Sequence, residues 1–158
     1  NWGFELEARK SLDWWEATRR FTVSANYTRV WSEVAYYDGL TKEKGLRTLQ
    51  GQAPWSVNAG LEYVHPDLKT VVNVLYNKVG RRLSRIADFT FLYVYEEPRD
   101  KLDIVVTQPL GRRFKVKAAV KDLLAQDSVF TSGTDDNPYE YSRQGGGSEY
   151  SLSMSARF

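Results

Sequence analysis

Oxygen-rich side chains cluster at Asp135, Asp136 and Asn137, with Glu140 three residues further on. A flexible loop of this composition can hold Ca²⁺, which takes several carboxylate and carbonyl oxygens as ligands. The stretch lacks the remaining positions of a recognised calcium loop. A solvated turn is therefore the favoured interpretation.

The other residues with catalytic or ligand chemistry are isolated from one another. His65 is the single histidine and precedes Pro66 in a turn sequence, and Asp103 has no second acid or nucleophile nearby in the sequence. No Ser-His-Asp, Cys-His or phosphate-loop arrangement is present. The chain has no cysteine, which excludes disulfides and thiolate-bound metals. The sequence therefore predicts no enzyme, no metal site and no cofactor.

Composition limits the classes of partner. The 158 residues carry 22 basic and 20 acidic side chains, a net charge of +2, so nothing indicates a nucleic-acid partner. Aromatic residues make up 14% of the chain. Mean hydropathy is −0.52, and no window approaches the ~18 apolar residues of a membrane-spanning helix.

The last eleven residues show the clearest structural pattern. Tyr150, Leu152, Met154 and Phe158 share one parity, while serines and charged residues occupy the other. Because side chains alternate between faces along a strand, this segment predicts a strand with one apolar and one polar side. Its length matches the ~9–11 residues that a tilted strand needs to cross a bilayer.

The same period of two recurs along the chain and predicts an all-β fold of about seven strands. The predicted strands lie at residues 2–12, 21–28, 55–63, 72–77, 102–107, 114–121 and 148–158. Short links at 13–20, 65–69 and 110–113 alternate with long connections at 35–53, 81–99 and 125–147.

This sorting of connections favours an up-and-down transmembrane barrel, which has short periplasmic turns and long outer loops. A soluble sandwich has no reason to sort its loops by end. A lipocalin-like barrel would reverse the two faces, and the period alone does not separate inside from outside. In the membrane interpretation the apolar parity faces lipid. The polar parity then faces a lumen, with Glu5, Glu7, Arg9, Asn58, Glu62, Asn73, Asn77, Asp103, Lys115, Lys117, Lys121 and Arg157 as the predicted lumen-facing residues.

Charged residues on the polar parity could line a ligand path, but contact with water or a plug is the favoured role. Aromatic residues near strand ends could stack on a ligand. Membrane-interface girdles are the favoured interpretation of this second set, which comprises Trp2, Trp14, Trp15, Trp31, Trp55, Tyr27, Tyr63 and Tyr76.

Seven up-and-down strands cannot close a barrel, because the first and last run in the same direction and single-chain bacterial barrels have even strand numbers. Unpaired strand edges in lipid would cost tens of kcal/mol, more than the ~5–15 kcal/mol of a typical domain. The sequence therefore predicts pairing with strands from outside residues 1–158. A missed eighth strand at 89–95 or 139–144 is the alternative.

Several stretches resemble the C-terminal barrel portion of TonB-dependent outer-membrane receptors, in particular those with a carboxypeptidase-regulatory-like N-terminal domain. The matching stretches cover nearly the whole chain in the family's order: LQGQAPWSVNAGLEY (49–63), LYNKVGRRL (75–83), YEEPRDKLDI (95–104), FKVKAAVKDLL (114–124) and residues 139–158. Asp122 stands where the family usually has Asn, and Gly145-Gly-Gly-Ser148 replaces the usual Gly-Arg.

The resemblance implies that residues 1–158 form about the last third of a barrel of about 22 strands with a plugged lumen. Such receptors import scarce ligands (ferric siderophores, cobalamin or glycans) across the outer membrane of a Gram-negative-type bacterium. The implied partners are membrane lipid, the remaining barrel strands and plug, the TonB system through upstream segments, and the barrel-assembly machinery. In the terminal strand, Tyr150, Leu152 and Phe158 resemble the signal read by that machinery, whose physical basis is strand addition to a sheet edge.

Two other classes of function remain open at this level. One is a small self-contained or homo-oligomeric outer-membrane barrel or pore. The other is a soluble β-rich binding module that uses tyrosine-rich loops.

Overall fold

The computed structural model describes residues 1–13, 20–37, 44–86, 93–134 and 136–157. In these ranges the chain forms antiparallel β-strands and no helix, which confirms the predicted all-β class. No helix in this part of the chain is long and apolar enough to span a membrane. The strands are β1 (Trp2–Ser11), β2 (Phe21–Trp31), β3 (Val34–Tyr37), β4 (Lys44–Arg47), β5 (Trp55–Val64), β6 (Val71–Val79), β7 (Arg82–Arg85), β8 (Val94–Glu96), β9 (Asp100–Leu110), β10 (Phe114–Lys121), β11 (Ser128–Thr134), β12 (Asn137–Gln144) and β13 (Glu149–Ala156).

One large sheet contains seven strands in the order β1-β2-β5-β6-β9-β10-β13. Each pair of neighbours is antiparallel, so the chain runs up and down through the sheet. These are the seven strands that the alternating pattern predicts. Their observed ends lie within three residues of the predicted ones. β2, β5, β6 and β9 extend further, because pairing continues past the last clearly alternating residue, whereas β1 and β13 are slightly shorter.

The short turns of the large sheet lie at one end. In the turn after β5, His65 donates its backbone N–H to Thr70 O (2.8 Å), and its ring Nδ1 accepts hydrogen bonds from the backbone N–H groups of Asp67 and Leu68 (3.3 and 3.2 Å). His65 is thus a structural residue of a tight turn. After β9 the chain reverses at Gly111, whose φ of 66° glycine adopts without the steric cost of a Cβ.

The long connections meet at the opposite end and contain their own strands. β3 and β4 pair as a hairpin, and β12-β11-β8-β7 form a four-stranded sheet. The sequence pattern misses these six strands because most are short and because apolar and polar residues do not alternate along them. Residues 139–144 lie in β12 of the small sheet and do not supply an eighth strand of the large one, whereas most of 89–95 falls outside the described residues.

The tightest packing lies in the small sheet. Leu83 and Val94 are 1% and 5% exposed on adjacent strands, and Ser132, also 1% exposed, donates its hydroxyl to Tyr93 O (3.0 Å). Arg82 donates twice to Glu96 across the same strand pair, at 2.9 and 2.7 Å. The long connections therefore form a packed platform at one end of the large sheet.

Gly146 closes the connection between β12 and β13. Its backbone N–H donates to Asp127 Oδ1 (3.0 Å), and a Cβ added to Gly146 would overlap the carbonyl oxygens of Ala125 and Gln126. A Cβ on Gly145 or Gly147 would meet nothing within 4 Å.

Gly146→Ala is therefore expected to destabilise this connection by about 1–3 kcal/mol, because backbone atoms must shift to admit the methyl group. Gly145→Ala is the matched control and is expected to change stability little. The measurement is urea unfolding of the two variants in detergent. Equal stability of the two would contradict the packing described around Gly146.

Candidate functional site

The strand register gathers the apolar parity of all seven strands of the large sheet on one face. Leu61 lies opposite Val74, Val74 opposite Ile104, and Ile104 opposite Val120. The pairing of Leu6 with Tyr27 continues the same face towards β1. We call this surface the apolar face.

In the described part of the chain, no second layer covers the apolar face. Trp2, Leu152 and Met154 are 66%, 77% and 65% exposed, and few large side chains among the described residues are fully buried. Leaving a large apolar side chain in water forgoes about 1.5–3 kcal/mol of burial free energy. Patches larger than a few hundred Å² mark membrane or protein contacts. The apolar face is therefore expected to contact an apolar environment, such as a membrane or another protein surface.

Aromatic residues concentrate at the two ends of the apolar face. Trp2 stacks on Trp31 with ring centroids 4.0 Å apart at the long-connection end, and Phe21 lies 4.9 Å from Tyr63 at the other end. From Trp55 to Tyr63, and from Phe21 to Trp31, the distance along a strand is ~26–33 Å. A strand tilt of ~40° reduces this to ~20–25 Å, close to the ~25 Å apolar band of membrane barrels. Register places Trp2, Trp31, Trp55 and Tyr150 at one end and Phe21, Tyr63 and Phe114 at the other. Tyr76, also predicted for the girdles, pairs with Ala59 and lies near the middle of the face.

Charged residues on the apolar face of the described strands stand only near its ends. Lys78 pairs with Asp100 (3.0 Å), and the Arg29 guanidinium lies 5.0 Å from the Trp31 ring centre. Lys10, opposite Val23, stands at the short-turn end. Long basic side chains at such positions can reach a polar interface while their stems lie along apolar surface.

The opposite face of the large sheet is polar and carries a continuous hydrogen-bonded row. Asn77 Nδ2 donates to Asn58 Oδ1 (2.7 Å), Asn58 Nδ2 donates to Asn26 Oδ1 (3.5 Å), and Asn26 Nδ2 donates to Glu5. The row crosses β6, β5, β2 and β1. It lines a groove of 460 Å³ whose other walls include Glu7, Ser24, Gly60, Lys101 and Asp103.

The register puts almost all predicted lumen-facing residues together on this polar face. Arg9 and Glu62 form a long ion pair there (3.9 Å), and Lys121 pairs with Glu149 (3.2 Å). Arg157 lies one residue beyond the end of β13. The residues that share the face are Glu5, Glu7, Arg9, Asn58, Glu62, Asn73, Asn77, Asp103, Lys115, Lys117 and Lys121. That this face borders a lumen stays a prediction.

Of the predicted assembly signal, Tyr150 and Leu152 lie on the apolar face of β13, an edge strand, and are 73% and 77% exposed. Phe158 lies outside the described residues, as do Trp14 and Trp15 of the predicted aromatic girdles. The recognition of this strand by assembly machinery stays a prediction.

The predicted turn at 135–140 is held by charges. Arg143 donates to Glu140 Oε2 (2.7 Å) and to Asp127 Oδ2 (3.2 Å), so Glu140 already has a cationic partner. Asp135 lies outside the described residues. Within the described ranges, no group of three or more His, Asp or Glu side chains is arranged to hold a metal ion.

The cluster of Asp127, Glu140 and Arg143 is expected to make the stability of the connection between β12 and β13 depend on pH. The Gly146 hydrogen bond and the Arg143 guanidinium lower the pKa of Asp127, and Arg143 lowers the pKa of Glu140. Both carboxylates therefore stabilise the folded connection fully above their ordinary pKa values of 3.8 and 4.5, and the stabilisation is lost as the pH falls through the lower folded values. Protection of the Gly146 amide against hydrogen exchange, corrected for intrinsic rate, is expected to fall from about pH 6 to about pH 3. Arg143→Gln should move the fall in protection to higher pH without abolishing it, because the Gly146 hydrogen bond to Asp127 remains. A flat profile in the parent protein would contradict the assignment.

Sequence reasoning missed a tyrosine-lined cavity between the β3–β4 hairpin and the small sheet. Tyr36, Tyr93 and Tyr95 line it together with Arg47 and Arg81. Tyr36 and Tyr95 are almost sixty positions apart, and the only sequence signal was the density of tyrosines in the long connections. The chain matches no protein-family model, no curated protein and no solved structure.

Proposed function

We propose that the chain forms part of the wall of an outer-membrane β-barrel and is the C-terminal barrel section of a TonB-dependent receptor. The observation that carries the barrel proposal is the large sheet, whose exposed apolar face is bounded by aromatic residues at both ends. The type of receptor rests on the resemblance of the five stretches between 49 and 158. In this role the chain is a non-catalytic wall with outer connections, and the ligand belongs to the siderophore, cobalamin or glycan classes.

The edges of the large sheet support a barrel completed by other strands. β1 and β13 each pair on one side only within the described residues. Their free edges carry about nine N–H and nine C=O groups, and each such group left unpaired in hydrocarbon costs several kcal/mol. Because β1 and β13 run in the same direction, an antiparallel barrel needs an odd number of added strands. A barrel of about 22 strands satisfies this with about 15 more.

A ring made only of copies of this chain fits less well. Joining β13 of one copy to β1 of the next would give a parallel pair, since the two strands point the same way. An antiparallel junction would require alternate copies to be inverted across the membrane. The homo-oligomeric pore is therefore the weaker candidate.

A soluble binding module also fits less well. It would leave Trp2, Leu6, Leu152 and Met154 in water without a covering layer in the described part of the chain. It would also have no reason to concentrate rings at the two ends of the apolar face.

The intact natural protein tests the proposal. An antibody raised against residues 136–147 should detect a band several-fold larger than 18.2 kDa in the outer-membrane fraction, with a mobility that changes on heating. The intact protein should also retain TonB during affinity purification. A heat-modifiable band at 18.2 kDa would favour the small barrel, and a monodisperse protein in detergent-free buffer would reject both membrane candidates.

A further inference from the structure

The tyrosine-lined cavity has no role in the proposed barrel wall. It has a volume of 520 Å³ and lies where the β3–β4 hairpin meets the small sheet. Small-molecule sites in proteins usually enclose ~300–1,000 Å³ and combine apolar walls with a few polar groups. Here Leu46, Leu83 and Pro54 supply apolar wall, and Ser32, Thr48 and Gln52 supply polar groups.

The three tyrosine rings have defined orientations. Tyr36 lies opposite Gly45 across the hairpin, and its ring occupies the space that a Cβ on Gly45 would need. Tyr36 and Tyr93 meet edge to face, with ring planes at 86° and centroids 6.4 Å apart. Burial, and then a hydrogen bond with Tyr36, hold the pKa of Tyr93 above its usual value, so its hydroxyl remains protonated and able to donate.

The charges around the cavity are largely balanced. Arg81 lies over the Tyr95 ring at 4.2 Å, and its Nε donates to Glu97 Oε1 at 2.8 Å. Glu97 also accepts a hydrogen bond from Thr131, which fixes the carboxylate beside Arg81. Arg47 donates to the neighbouring Thr48 carbonyl (3.1 Å), and Glu33 adds a negative charge to the same wall.

These features determine the class of ligand. Tyrosine rings offer flat apolar faces with hydroxyl edges, which suit a molecule that has C–H faces and polar edges of its own. The surrounding side chains offer both hydrogen-bond donors and acceptors. Balanced charge gives no preference for a strongly anionic molecule. We propose that this cavity binds a short, uncharged oligosaccharide, with Tyr36 and Tyr95 as stacking platforms.

As to the class of ligand, the inference rests on the proposed function and narrows it to a neutral glycan; the cavity itself lies in the long connections and does not depend on the large sheet being a barrel wall. The inference is tested by calorimetry on the full natural protein in detergent. The probes are maltose, cellobiose, laminaribiose and mannobiose, and the tetrasaccharides of the same four series. Saturable binding of at least one neutral saccharide is expected. Tyr36→Ala should raise its Kd by about tenfold or more, since an aromatic contact and its buried area are lost.

Two further variants separate stacking from a general disturbance of the hairpin. Tyr36→Phe keeps the ring and should stay within about threefold of the parent Kd, a change of less than 1 kcal/mol. Tyr37→Ala changes the next residue of β3, which is 60% exposed, and should leave binding unchanged. Hydrogen exchange on the parent protein should show saccharide-dependent protection in Val34–Tyr37 and Val94–Glu96, which requires no variant to fold.

Absence of binding to every neutral saccharide would overturn the proposal, as would binding only of acidic sugars or of peptides. Equal weakening by Tyr36→Ala and Tyr37→Ala would overturn the stacking role. The size and heat modifiability of the natural protein are independent of all these outcomes. Failure here is therefore distinguishable from failure of the proposed barrel function.

Discussion

Val74→Arg is expected, on the proposed barrel role, to destabilise the protein in a bilayer by about 2–4 kcal/mol, the cost of a basic side chain near the middle of a lipid-facing barrel surface. Val74 lies on the apolar face between Leu61 and Ile104, away from the charged residues at its ends. A cation there cannot reach water easily and finds no carboxylate opposite. At ~1.4 kcal/mol per factor of ten, the equilibrium constant for folding should fall by roughly 30- to 1,000-fold relative to the parent.

Asn73→Arg is the matched control, because residue 73 is the next position on the same strand and points to the polar face. Its partner on β5 is Glu62, so an arginine at 73 gains an acidic neighbour. Reversible urea unfolding of the full protein in lipid vesicles measures both variants. The assignment of faces would be wrong if Asn73→Arg lost as much stability as Val74→Arg, or if Val74→Arg lost none.

The large sheet could be predicted from sequence because each of its strands carries the same division into two sides. In β13, Tyr150, Leu152 and Met154 alternate with serines, and the pattern survives without knowledge of any neighbour. Register then follows from matching apolar positions, since a slip by one residue would bring every side chain to the other face. Local residue choice and tertiary pairing agree here.

The small sheet could not be predicted in the same way. In β7 and β8, Leu83 and Val94 are buried, but Arg82 and Glu96 stabilise the same strand pair through side-chain hydrogen bonds. These strands are only four and three residues long, too short for a period to be visible. Their stability comes from partners far away in the chain, such as Arg81 with Thr131 (3.3 Å), and no local pattern encodes that contact.

For the same reason, the polar face could be predicted from the sequence and the tyrosine-lined cavity could not. Asn26, Asn58 and Asn77 share the polar parity of their strands, so the alternating pattern alone predicts that they lie on one side, where they form hydrogen bonds. Tyr36 and Tyr93 lie in two different connections and meet only because the hairpin folds against the small sheet. A cavity between connections depends on how they pack, which periodicity does not report.

Asp122→Ala is expected to be the second costly substitution, at about 2–4 kcal/mol. Asp122 ends β10 with a φ of 50°, in the left-handed region that Asn and Asp tolerate better than Ala. Its carboxylate Oδ2 accepts a hydrogen bond from Arg99 (2.8 Å), its backbone N–H donates to Asp103 Oδ1 (2.8 Å), and its carbonyl accepts from Ser148 (3.0 Å). The Arg99 and Asp122 side chains are only 20% and 18% exposed, so removal of one leaves the other poorly solvated.

Asp122→Asn separates the backbone requirement from the charge. Asparagine tolerates the left-handed conformation and keeps an oxygen that can accept from Arg99. Its amide nitrogen would take the place of Asp122 Oδ1, a buried oxygen without a hydrogen-bond partner, so its donors would remain unsatisfied and part of the loss would persist. This variant is therefore expected to lose less stability than Asp122→Ala, because the left-handed backbone and the acceptor for Arg99 are kept.

Glu149→Ala is the control for loss of an ordinary ion pair at the same end of β10, because Lys121 and Glu149 are 54% and 67% exposed and their contact is worth little. Urea unfolding in detergent and hydrogen exchange of residues 122–127 measure the three variants. The expected order of loss is Asp122→Ala first, then Asp122→Asn, with Glu149→Ala the smallest. A loss in Asp122→Asn equal to that in Asp122→Ala would assign the effect to the negative charge beside Arg99. A negligible loss in Asp122→Ala would mean that this turn does not anchor β10 to the outer connections.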